Sequence, residues 1–349
     1  MTYKRKSGKL ILNILVNTLA SFCALFLLLV ILESSFRVHA ISLQEKSSAT
    51  QAPEDFWCQY DPVLGWRHIP DKVVPRAYPD IPVVINKEGV RADREYGFER
   101  KRILAIGCSF TFGHGVLRKE AWPQQLEDKL RSNGFDYDVI NSGVCAYGLD
   151  QTYLFFLEKQ KIFKPDIVIL GLIMDDLNRI VKCRWDTGIG KPRYRLIIDN
   201  LVLTNVPVPR RVQPGNTFQD WANILFDPKK SYFVDFIIKR LNIKISVSNN
   251  ETEKLQITQK ILQEFSDKCK ENNSKFLVVF LDPISMDPIP DVKGFLIKNK
   301  IDFTESSEIF RGQKDIYLKN EGHPNRHGYD LMAEQIYRFL LSHKKEYHL

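Results

Sequence analysis

Six cysteines in 349 residues, with no CxxC pair, leave this chain without a disulfide scaffold, a zinc ribbon or a thioredoxin-like centre. No His/Asp/Glu cluster has metal-ligand spacing along the chain, so no metal and no cofactor is expected. GCSFTFG (107–113) lacks the Lys-Ser/Thr of a phosphate-binding loop, and Thr111 stands where a GxSxG elbow needs its last glycine. Internal repeats and low-complexity tracts are missing too. Basic runs interleaved with aromatics are also absent, and LSHKKEYH (341–348) reads as a solvated helix end, so no nucleic-acid partner is expected.

What is present begins with a charge asymmetry. The formal net charge is +8, yet Lys4, Arg5, Lys6 and Lys9 supply four of those charges, leaving +4 for the other 340 residues. Residues 10–32 then run 23 positions without a charge, more than the roughly 20 a helix needs to cross a bilayer. Cations before the span and Glu33 beyond it place residues 1–9 in the cytoplasm and the remainder outside. In a Gram-negative bacterium that is the periplasmic face of the inner membrane. A cleaved signal peptide is the competing reading, but its apolar core is about 7–15 residues and it needs a small-x-small site. Residues 33–40 (ESSFRVHA) supply a poor one. The expectation is therefore one uncleaved, single-pass anchor.

Beyond the span, residues 33–55 are a polar, Ser/Ala-rich stalk, and residues 56–100, with five prolines, an extended flank packed on the main domain. From residue 101 to 345, short apolar runs alternate with helical ones. RILAIG (102–107), YDVI (137–140), DIVILG (166–171) and KFLVVFL (275–281) are strand candidates. Trp122, Leu126 and Leu130, then 150–162, 251–271 and the stretch after Asn325 have helical spacing. Strands apolar on both faces that alternate with helices predict an α/β, doubly wound parallel sheet. Residues 184–250 interrupt the alternation. They open on a hairpin (193–205) turning at Asp199-Asn200 and are expected to form an insertion beside the sheet, as a substrate rim or a membrane-facing cap.

Ligands of a doubly wound sheet sit outside the carboxyl ends of its strands. Those ends carry Gly107-Cys108-Ser109, Asn141-Ser142-Gly143 and Asp175-Asp176, and Asn320-Glu321-Gly322-His323-Pro324-Asn325 precedes the last helix. A serine, a glycine amide, a polar side chain and a histidine thus stand where acyl transfer needs them. Taken in order, the four blocks resemble the SGNH/GDSL hydrolases, specifically their membrane-anchored branch. Gly107-Cys108-Ser109 stands for Gly-Asp-Ser, Gly143 for the glycine block, Asp175-Asp176 for Asn-Asp, and Glu321 to Asn325 for the Asp-x-His-Pro-Asn ending. DPVLGWRHIP (61–70) and INKEGVR (85–91) are similar to the stretch preceding that family's catalytic domain. The resemblance implies a flavodoxin-like fold and serine ester hydrolysis or O-acyl transfer, deacetylation included, on an acyl ester such as acylated envelope carbohydrate or lipid.

Roles follow from chemistry and resemblance together. Ser109 is the candidate nucleophile and His323 its base and later acid. Glu321 is the candidate to orient the imidazole, since Asn320 occupies the position where the family carries aspartate. A backbone carbonyl is the alternative. The amides of Ser109 and Gly143 and the side chain at position 175 would hold the oxyanion. Asp175 departs from the family's asparagine, because an ionised carboxylate only accepts hydrogen bonds. It is protonated by burial, points elsewhere, or marks a slow or inactive relative serving as a binding or assembly protein. Asn320, Asp176 and Asn141 are expected as orienting, loop-fixing or pocket residues, and His114 and His327 as ordinary loop and helix-surface residues. Cys108 faces away from Ser109, where it can approach Cys145 and form a disulfide with it.

Overall fold

A computed structural model of the chain describes residues 13, 16–35, 57–78, 80–185, 189–198, 200–209, 248–281, 290–319 and 321–349. They fall into two units, described separately. In the first, helix α1 (Val16–Ser35) spans 20 residues at a mean hydropathy of 2.2, with its side chains exposed. At 1.5 Å per residue that length matches a bilayer core of about 30 Å. Ser21 and Ser35 donate their hydroxyls to the carbonyls of Asn17 and Ile31, so these polar side chains are satisfied by the helix itself. The helix ends three residues beyond the expected 32, and residues 10–12 lie outside the described set.

The second unit is built on a five-stranded, all-parallel sheet. Its strands are β5 (Lys101–Gly107), β6 (Tyr137–Gly143), β7 (Ile167–Leu172), β10 (Lys275–Phe280) and β11 (Asp302–Glu305). They lie in the spatial order β6-β5-β7-β10-β11. The sequence order 2-1-3-4-5 is the flavodoxin-like arrangement, whose switch point lies between β5 and β7. Alternation along each strand separates two cores. Leu104, Ile106, Val168, Leu170 and Val278 face one side, toward α4 (Leu149–Phe163), α6 (Ser248–Glu271) and α7 (Pro290–Lys298). Ile103, Ala105, Ile167, Ile169, Leu277 and Val279 face the other, toward α3 (Trp122–Ser132) and α9 (Arg326–Ser342). Strands apolar on both faces need helices on both faces, and the expected α/β doubly wound sheet is what forms.

The flank folds into two small antiparallel hairpins: β1 (Cys58–Asp61) with β2 (Gly65–His68), and β3 (Val73–Tyr78) with β4 (Ile81–Val84). Arg94 ties it to the sheet by reaching Glu127 of α3 at 2.9 Å and Asp138 of β6 at 3.0 Å. The hairpin expected at 193–205 is β8 (Arg193–Ile197) with β9 (Asn200–Thr204); Asp199 lies outside the described residues, as does 210–247. Lys191 and Asp150, both fully buried, form an ion pair that anchors the chain entering this hairpin to α4.

Candidate active site

The carboxyl edge of the sheet carries a row of three paired glycines, Gly143, Gly107 and Gly171, on adjacent strands. A short helix, α2 (Ser109–Phe112), lies directly on that row. A Cβ on Gly143 would stand 2.2 Å from the Phe112 amide nitrogen, and one on Gly107 or Gly171 would stand 2.4 Å from Thr111 Oγ1. Only hydrogen at these positions lets α2 sit down. Ser109 is thereby held in the first turn at the switch point. The amides of Thr111 and Phe112 are taken by the Cys108 carbonyl, whereas a first-turn amide such as that of Ser109 has no partner within the helix.

His323 arrives from the other end of the chain. Its backbone carbonyl accepts from the Leu318 amide at 2.9 Å, and Asn325 caps α9 by accepting from the His327 and Gly328 amides at 2.9 and 3.1 Å. This turn presents Nε2 of His323 at 2.9 Å from Ser109 Oγ. Glu321 Oε2 lies 3.4 Å from the ring's other nitrogen, Nδ1. Burial is the first cause that lowers the His323 pKa, Glu321 opposes it, and Arg179 lowers it further. A neutral imidazole with its proton on Nδ1, toward the carboxylate, leaves the Nε2 lone pair facing the serine hydroxyl.

The other candidate residues fall in different places. Asp175 is the first acidic residue of α5 (Met174–Arg179); its side chain is 69% exposed and lies 3.6 Å from Arg179. Of the three readings of this acid, burial is not met and an orientation toward Arg179 is what is seen. Asp176 is buried, accepting from the Ile173 amide at 3.0 Å and from Arg179 at 2.8 Å. Asn141 is buried too: it donates to the Phe112 carbonyl and accepts the Gly143 amide, both at 3.1 Å. The Gly143 N–H, expected at the oxyanion, donates here to Asn141, and the missing side chain of Gly143 makes room for α2. Asn320 lies outside the described residues. His327 lines a groove with Gln125, Asn325, Arg326 and Asp330.

All six cysteines are free thiols, so the Cys108–Cys145 disulfide is not formed. Cys108 is buried beside Asp176, and desolvation raises its pKa well above that of a free thiol. Cys145 instead meets Tyr78.

One residue at this site escaped the sequence. His114 stacks on His323 with ring centroids 4.1 Å apart and planes 26° apart, and its Nε2 lies 3.6 Å from Glu321. The expectation of an ordinary loop residue is corrected, since a 209-residue separation hides the pairing. Nor did the sequence foresee that His114, Glu321 and His323 bring three ligand-type atoms within 4.8 Å of one another. Imidazoles bind ions in the ring plane, so one ion would reach both stacked rings only after one of them turned.

Fold and site together define a doubly wound α/β protein with a serine–histidine pair at its switch point. No family model matches the sequence, and no curated protein matches it. Among solved structures, the chain is similar to TesA (13% identity, TM-score 0.41, 69% of this chain and 98% of that one). It is also similar to the psychrotrophic esterase EstA from Pseudoalteromonas sp. (11%, 0.41, 70% and 99%). A GDSL-like lipase from Bacteroides thetaiotaomicron is a third (14%, 0.37, 69% and 88%). Identities and TM-scores this low leave the chemistry of the site to its own geometry.

Proposed function

We propose that this chain is a membrane-anchored serine ester hydrolase or O-acyltransferase of the SGNH type, working outside the cytoplasm through an acyl-Ser109 intermediate. The observation that carries the reading is the 2.9 Å contact between Ser109 Oγ and His323 Nε2 at the sheet's switch point. Ser109 Oγ attacks the ester carbonyl carbon while His323 Nε2 takes the hydroxyl proton. The imidazolium is stabilised by Glu321. The oxyanion is met by the Ser109 amide at the start of α2. On collapse the alkoxide leaves with the proton from His323, and acyl-Ser109 remains. Water, or a sugar hydroxyl, then gives its proton to His323 and takes the acyl group. An anchor on the same chain favours acylated envelope carbohydrate or lipid as substrate.

The test is fluorophosphonate labelling of the full chain in detergent, with hydrolysis of short-chain aryl esters alongside. Labelling that is lost in Ser109→Ala and His323→Ala supports the reading. A folded wild-type protein that neither labels nor hydrolyses overturns it. That outcome favours the second reading, a catalytically impaired binding or assembly protein, which rests on Asp175 and Asn320 standing where the resembled family carries asparagine and aspartate. Asp175→Asn supplies a donor amide there and is expected to raise kcat, an oxyanion donor being worth about 10²–10³ in turnover elsewhere.

A further inference from the structure

Glu321 is a weak orienting group on its own. Its side chain is 47% exposed and 3.4 Å from His323 Nδ1, and exposed contacts of this kind contribute little. A carboxylate so solvated does not by itself fix a ring. The loop after Ser109 supplies what is missing. Gly113 and Gly115 flank His114 with φ of +88° and +70°, backbone that favours glycine. Arg91, buried and without a carboxylate partner among the described residues, donates to the carbonyls of Phe112, Gly113 and Val116 at 2.8, 2.6 and 2.7 Å and holds the loop in that shape. A Cβ on Gly115 would stand 2.4 Å from Leu318 Cδ1, so this loop and the His323 turn meet closely. His114 is delivered onto the face of His323.

Its far side is anchored as well. Tyr78, from the flank hairpin, lies with its hydroxyl 2.8 Å from His114 Nδ1. Trp57 packs against Tyr78 at 5.5 Å and stacks on Phe112 of α2 at 5.8 Å. Burial raises the Tyr78 pKa, so the phenol keeps its proton and can donate it. Burial, helped by His323 and Arg91, lowers the pKa of His114 to about 4, which keeps its ring neutral near neutrality. A neutral imidazole has one N–H, and a carboxylate accepts only. The tautomer with hydrogen on Nε2 faces Glu321 productively and leaves Nδ1 to accept from Tyr78.

We propose that His114, fixed by Tyr78, is a positioning residue that holds Glu321 between two imidazoles and so orients His323 toward Ser109. The inference rests on the serine-hydrolase reading for its kinetic effect, and on geometry together with the burial of His114 and Tyr78 for the tautomer. At 3.6 Å the His114–Glu321 contact is longer than a hydrogen bond. Proton transfer to His323 raises the pull on the carboxylate, and His114 limits where it settles. The ring face of His114 also excludes water from one side of the developing imidazolium.

Three substitutions separate the parts of this arrangement. His114→Ala removes ring and N–H, His114→Phe keeps a ring face without the N–H, and His114→Gln keeps a donor near Nε2. In the full chain, His114→Ala and His114→Phe are expected to lower kcat about 10–100-fold with KM within twofold, the size of effect seen for groups that orient a functional ligand. His114→Gln is expected to recover most of the loss. Wild-type kcat in His114→Ala, full activity in His114→Phe, or no recovery in His114→Gln overturns the proposal. The nitrogen shifts of ¹⁵N-histidine-labelled protein provide a test independent of turnover. His114 is expected as the Nε2–H tautomer in wild type and as a mixture in Tyr78→Phe, and an Nδ1–H tautomer in wild type overturns the proposal even if the enzyme is active. A wild type inert to fluorophosphonate defeats the hydrolase reading instead, and leaves the tautomer result to stand or fall separately.

Discussion

His323 serves as a base only while neutral, and burial lowers its pKa below the ordinary imidazole value of about 6.5. The acid limb of kcat/KM is therefore expected below pH 6.5, and a limb above that value would contradict the burial seen here. The same sign governs stability. His68 is fully buried, its Nδ1 3.0 Å from the Gly89 carbonyl and its pKa lowered to about 4 chiefly by desolvation. Unfolded, it binds a proton near pH 6.5. Between about 6.5 and about 4 the unfolded state holds more protons, so the stability present above 6.5 is lost as pH falls, by up to about 1.4 kcal/mol per pH unit. Urea midpoints at pH 7 and pH 5 are expected to differ less in His68→Asn than in wild type. Lys191 poses a sharper case. Its buried partner Asp150 would be left unpaired by Lys191→Met, at an expected cost of about 3–5 kcal/mol, and by less when Asp150→Asn accompanies it. Chemical denaturation of the single and double variants measures both.

At the scale of elements, the glycine row decides where Ser109 goes. Gly143→Ala places a methyl 2.2 Å from the Phe112 amide nitrogen of α2, and Gly107→Ala places one 2.4 Å from the Gly171 carbonyl as well as from Thr111 Oγ1; both meet backbone that no rotamer change relieves. Overpacking of this kind costs about 1–3 kcal/mol, and displacement of α2 should also lengthen the Ser109–His323 contact. A fall in thermal midpoint together with slower fluorophosphonate labelling is the expected outcome, and labelling at the wild-type rate would show that α2 is held by something else. The strands themselves were legible. RILAIG, DIVILG and KFLVVF are apolar at nearly every position because both sheet faces are covered, and β5, β7 and β10 form there. Last-helix spacing and the Asn325 cap were legible for the same local reason. The two flank hairpins were not, because Pro75 and Pro82 mask the alternation of β3 and β4.

For the whole molecule, the one apolar helix among the described residues and the α/β unit set the expected topology. A reporter active only outside the cytoplasm, fused after Leu349 of the full chain, is expected to be active. The membrane fraction should retain the chain through carbonate extraction, and recovery of a shortened soluble form would instead identify α1 as a cleaved signal.

By itself the sequence determined the apolar span, the alternation of strand and helix, and the serine and histidine at strand and loop ends. Each is written locally, in hydrophobic period or in a residue beside a turn. Tertiary structure alone decided that Ser109 and His323 meet at 2.9 Å, that Gly143 serves α2 by lacking a side chain, and that Asp175 turns toward Arg179. It alone placed His114 against His323 and Tyr78 behind it. These depend on the order in which strands enter the sheet and on close approach between segments far apart in the chain, and neither leaves a periodic trace along it.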